Sequence, residues 1–165
     1  MLKKIFIAAF LVCIGVFAFA QAQPKAILSK ADVDTFVKNY AKINEILDSY
    51  DAELSSLDTD FSGMAGKTIT DMINKARNFS VSAKLRGDLA KFGLGNNGFE
   101  KCMVIIYGMT AIYMEEILKG VGGGDNSKEV NDMIKNQINP MKAAIHAGDF
   151  KLITAQKDAL IALLN

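Results

Sequence analysis

Apolar residues recur at alternating spacings of three and four from Val33 through Phe36, Tyr40, Ile43, Leu47, Tyr50, Leu54 and Leu57, and Val37 and Ile46 widen the stripe. At about 3.6 residues per turn, this spacing lines one face of a long helix with a continuous apolar seam. Ser29-Lys30-Ala31-Asp32 stands just before it with the spacing of a capping box, Asp replacing the longer Glu or Gln. Such a seam suits an intermolecular coiled coil or the long helix of an intramolecular bundle. The helices that follow need a surface to pack on, which favours the bundle.

Ser, Asp and Gly residues from Asp58 to Lys67 break the pattern. A second helix is predicted from about Thr68, burying Ile69, Met72, Ile73, Ala76 and Phe79, and a third from about Ser82, with Leu85, Leu89 and Phe92 inward. Gly93-Leu94 reads as a helix stop, glycine taking the left-handed position and the apolar residue folding back. Asn97 is placed to cap a fourth helix that is apolar on every side from Cys102 to Met114, so it belongs at the centre of the protein. Gly108, in its middle, costs about 1 kcal/mol of helix propensity relative to Ala and implies a close helix crossing.

After the glycine-rich stretch Gly120 to Asn126, a fifth helix from about Ser127 buries Val130, Met133, Ile134 and Ile138. Pro140 fits the first turn of another, capped by Asn139. Gly148-Asp149 is expected to stop that helix and cap the last, where Phe150, Ile153, Leu160, Leu163 and Leu164 face inward. No window alternates with period two and no hairpin signal stands between strands. The expected fold is therefore all-α: a compact bundle of about five or six helices around a central apolar helix at roughly 98–119.

The N-terminus adds a destination. Lys3 and Lys4 precede an uncharged apolar run from Ile5 to Ala20, which ends in Ala18-Phe19-Ala20, small residues at the −3 and −1 positions of a cut before Gln21. This is the pattern of a cleavable signal peptide, with a cut after Ala22 as the alternative. The run would span about 24 Å as a helix, short of a hydrocarbon core of roughly 30 Å. The expected organisation is residues 1–20 as signal helix, 21–28 as an exposed leader and 29–165 as a single all-α domain, exported to the periplasm or the exterior. Without the signal, 17 basic residues face 18 acidic ones. That balance gives no footprint for nucleic acid or an anionic membrane, and no stable membrane insertion is expected after cleavage. Cys102 is the only cysteine left, so no internal disulfide can form.

Ala31-Asp32-Val33-Asp34 with Phe36, Tyr40 and the run to Leu54 resembles the first helix of small exported all-helical bacterial proteins. Leu89 to Leu94, then Phe99 and the aromatic helix through Tyr113, is similar to their middle section. The likeness covers about two-thirds of the mature chain and rests on packing residues. It implies export and a helical fold, and carries no site residue with it.

Chemistry-bearing patterns are sparse. Asp58, Asp60, Ser62 and Gly63 match the first half of a calcium loop, but Ile69 stands at position twelve, where a bidentate acid belongs; a solvated loop of Asx turns explains the same residues. Gly66-Lys67-Thr68 ends like a phosphate loop, with Phe61 in place of its first glycine. Gly120 to Gly124 reads as a tether. His146, the only histidine, is placed near a helix C-terminus without an orienting acid, and Cys102 sits among apolar neighbours as an inert thiol. Met103, Tyr107, Met109 and Tyr113 on the central helix are the candidates for an apolar ligand pocket, against the plainer reading that methionines fill an irregular core. No cofactor is expected. The leading expectation is a non-enzymatic exported protein that binds an envelope protein or a small apolar molecule. The alternatives are a weak calcium-dependent module built on residues 58–63, and an enzyme whose site is assembled from acids, Lys and Tyr.

Overall fold

A computed structural model of the chain describes residues 24–54, 78–121, 128, 131–132, 136 and 138–164. Among them are six α-helices and one wide π-type turn, and no strand: α1 (Lys30–Ser49), α2 (Ala83–Leu89), the wide turn (Ala90–Leu94), α3 (Gly98–Val121), α4 (Asn139–Ala143), α5 (Ala147–Thr154) and α6 (Lys157–Ala162). The protein is all-α, as its periodicity requires.

α1 begins on a complete capping box. The Asp32 N–H donates to Ser29 Oγ, and the Ser29 N–H donates back to Asp32 Oδ2 at 2.8 Å. Its seam buries Val33, Phe36 and Ile43 fully, and Tyr40 packs edge-on against Phe36 with ring centroids 5.7 Å apart. The helix is interrupted within the seam. Tyr50 leaves helical geometry, and a further helical turn at 51–54 keeps Leu54 packed on the core. Leu57 and the second helix predicted from Thr68 through Ala76 lie outside the described residues.

Ser82 caps α2 by accepting from the Leu85 N–H at 3.2 Å, and Leu85 and Leu89 are fully buried. Gly93 takes φ +85° and Leu94 turns back into the core, as the glycine stop implies. The reversal brings α3 tightly under α2, since a Cβ on Gly98 would lie 3.0 Å from Leu89 Cβ and 3.2 Å from Leu94 Cβ.

α3 is the hub and packs against every other helical segment. From Cys102 to Met114 no residue is exposed, and Val104, Ile105, Met109 and Ala111 are essentially sealed from solvent. Gly108 meets α5 where a Cβ would come within 2.6 Å of Ile153 Cδ1, so the glycine does permit the close crossing.

Other boundaries differ from expectation as well, and α3 runs on through Gly120 to Val121, into the expected tether. α4 starts at Asn139 with Ile138 in the cap position, so Pro140 occupies its first turn without an Asn139 cap. α5 starts at Ala147, so Gly148 and Asp149 form its first turn and do not end the helix before it; His146 is the cap. The single last helix is two, broken at Ala155–Gln156, where neither glycine nor proline announces a break. Ile138 is fully buried, whereas Val130, Met133 and Ile134 lie outside the described residues.

Candidate functional site

A cluster of polar contacts lies where the leader meets the starts of α1, α3 and α5. Lys25 and Ala26 are exposed, but Ile27 and Leu28 are half-buried and pack on the core, so the exposed part of the leader ends at Ala26. Their N–H groups donate to Asp149 Oδ2 and Oδ1 at 3.0 and 3.1 Å. Asp149 is 1 % exposed, in the first turn of α5, where the helix dipole also favours a negative charge.

Beside this clasp, Asp32 uses its second oxygen to accept from Lys101 Nζ at 2.7 Å, while Ser29 Oγ donates to the first at 2.6 Å. Burial pushes the Asp32 carboxyl up, but the hydrogen bonds from Lys101 and Ser29 outweigh it and hold the group below its ordinary value. An acid so held is an anion at neutral pH and cannot serve as a proton donor. A shallow cleft of about 390 Å³ opens alongside, lined by Lys25, Ala26, Ile27, Asn97 and Glu100.

A second cluster closes the far end of α1. Tyr50 donates its phenol to Asp88 Oδ2 at 2.8 Å, Lys91 donates to the other oxygen at 2.7 Å, and Lys84 lies 5.7 Å from the Tyr50 ring centroid. Desolvation and the Asp88 bond raise the phenol to about 12, so it stays protonated. Glu53 accepts the Ser82 N–H at 2.6 Å. On the other side of α3, Lys142 pairs with Glu115 and sits over the Phe150 ring.

The residues singled out in the sequence fare unevenly. Asp58, Asp60 and Ser62 of the calcium-like loop lie outside the described residues. Among the described residues, no three His, Cys, Asp or Glu side chains gather as a metal would need. Met103, Tyr107, Met109 and Tyr113 do not converge on one pocket. Residues six apart on a helix point about 120° away from each other, so Met103 and Tyr107 share one face while Met109 and Tyr113 share another. Met109 is 1 % exposed and acts as core filling, and Met103 and Tyr107 pack partly buried against the same core.

Cys102 is fully buried, and burial drives its thiol up to about 12, opposed only in part by the Lys101 charge. His146 lies just past the C-terminal end of α4, off the helix, and caps the next one. Its Nδ1 accepts the Gly148 N–H at 3.0 Å and caps α5, which requires a lone pair on that nitrogen.

The clasp residue Asp149 and the partner of Lys101 were not visible as a site in the sequence. The one local signal was an acid between Gly148 and Phe150 at a helix start. No helix among the described residues is long and apolar enough to cross a membrane. Comparison of the chain with models of protein families, with curated proteins and with solved structures found no match.

Proposed function

We propose that this chain is an exported, non-enzymatic helical protein that binds a protein partner of the cell envelope. One observation carries the reading: among the described residues, the polar groups that cluster together are engaged in holding the fold. Asp32 is paired with Lys101, Asp149 grips the leader, Tyr50 donates to Asp88, His146 caps a helix and the Cys102 thiol is buried. A reacting group needs a free lone pair or proton beside space for substrate, and these are committed elsewhere. The apolar-ligand branch is weaker for the same reason, because Met109 and its neighbours fill the core themselves.

Export rests on the Lys3-Lys4 start, the apolar run to Ala20 and its small-residue exit, together with the resemblance to small exported bacterial proteins. The test is native mass spectrometry, with N-terminal sequencing, of the tagged chain recovered from the envelope fraction of a bacterial host. The expected species begins at Gln21, or at Gln23 for the shifted cut, and is held in a complex with a protein. A chain that retains Met1 in the cytosolic fraction and flies alone would overturn the reading.

A further inference from the structure

Two successive main-chain N–H groups, from Ile27 and Leu28, converge on one buried carboxylate that lies 122 and 121 residues away in sequence. Each amide is taken by its own carboxylate oxygen, and charge assistance makes each bond stronger than a neutral one. Main-chain donors carry no side-chain identity. Asp149 therefore recognises a stretch of backbone, and the half-buried Ile27 and Leu28 side chains supply what selectivity there is.

The strap is fastened separately from the helix it precedes. α1 is anchored by Ser29, Asp32 and Lys101, none of which bonds to Asp149. Lifting residues 24–28 thus leaves the capping box and the Lys101 pair in place. The carboxylate is 1 % exposed with the strap seated, and lifting the strap removes two hydrogen bonds to a charged group. A bare open state is costly, and like-for-like replacement is not.

The geometry points to residues 24–28 as a displaceable strap seated in a peptide-binding site built on Asp149, which a partner's segment bearing two adjacent apolar residues takes over when the strap lifts. This rests on the reading of the chain as a binder of a protein partner, and it locates that binding at the α1–α3–α5 junction.

Hydrogen exchange on the purified chain tests it, with a capped peptide copying residues 24–29 as the probe. In the chain alone, the Ile27 and Leu28 amides should exchange by local opening, at least roughly tenfold faster than those of Ile105 and Met109 in α3. Added peptide at about millimolar concentration should speed exchange at Ile27 and Leu28 at least threefold and leave Ile105 unchanged, because the strap and the peptide compete at about that effective concentration. Ile27→Pro, which removes one donor from the strap and leaves Asp149 intact, should tighten peptide binding about tenfold, the equivalent of about one lost hydrogen bond.

Strap amides that exchange in step with Ile105, or a peptide that leaves their rates unchanged, would overturn the proposal without any variant being needed. The two readings fail separately. Strap exchange with no envelope complex removes only the partner, and an envelope complex with no strap exchange removes only the seat.

Discussion

Gly108 and Ile153 are fitted to each other across the α3–α5 crossing: a methyl group at 108 would stand 2.6 Å from Ile153 Cδ1 and 3.3 Å from its Cγ2, with Ile145 Cδ1 at 3.5 Å behind. Gly108→Ala gains about 1 kcal/mol of helix propensity. It also overpacks a fully buried contact, at a cost of about 1–3 kcal/mol, and the expected net effect is destabilisation. Ile153→Val removes the nearer carbon and by itself costs about 0.5–1.5 kcal/mol. The double variant should therefore be more stable than the sum of the two predicts, by at least about 0.5 kcal/mol in urea denaturation. Additive losses would show that the crossing distance is not what holds glycine there.

The Asp32–Lys101 pair should leave a mark on acid unfolding. Asp32 is 7 % exposed and its carboxyl is lowered in the fold, so its contribution is complete above the unfolded value of about 3.9 and disappears as pH falls through the folded one. Asp32→Asn is expected to cost about 1.5–3 kcal/mol at pH 7, the worth of a hydrogen bond to a charged group. Denaturation curves of the two proteins taken at falling pH should converge below about pH 4. A gap that stays constant down to the acid transition would mean that the pair does not hold the carboxylate ionised.

Cys102 should be silent in the folded protein. A thiol at about 12 has almost no thiolate at pH 8, and the residue is fully buried. An aromatic disulfide reagent is expected to release no colour from Cys102 in the native chain and one equivalent from it in denaturant. Rapid native labelling would place the thiol at a reachable surface and reopen its chemistry.

His146 separates capping from any chemical use of the imidazole. Ala at this position removes the Nδ1 acceptor for the Gly148 N–H and should lower stability by about 1 kcal/mol, whereas Asn, a strong N-cap, should retain most of it. Thermal unfolding of the two variants decides. Equal losses for Ala and Asn would rule out the cap as the residue's contribution.

Much of the architecture could be read from spacing, because spacing is what packing uses. The Val33–Phe36–Ile43 seam, the Gly93 stop and the all-apolar α3 are local patterns, and each appears where it was expected. The break at Tyr50 was hidden because Tyr50 and Leu54 stay on the core side through the kink, so the apolar rhythm passes over it undisturbed. His146 was misplaced because a residue between two short helices can serve either one, and only the Gly148 N–H direction decides. The Met103, Tyr107, Met109 and Tyr113 set spans two faces of α3, since a shared helix is not a shared face. The grip of Asp149 on the leader could not be read: its partners are backbone amides from the opposite end of the chain, and backbone leaves no trace in composition.

The bonds from Ile27 and Leu28 to Asp149 span 122 and 121 residues, and Gln156 reaches Asp34 across another 122. The ribosome releases residues 27 and 28 long before it makes the carboxylate that holds them. At ordinary elongation rates that delay is roughly ten seconds. Residues 27 and 28 therefore find their acceptor only once residue 149 has been made, and the contacts at the N-terminal end are completed last.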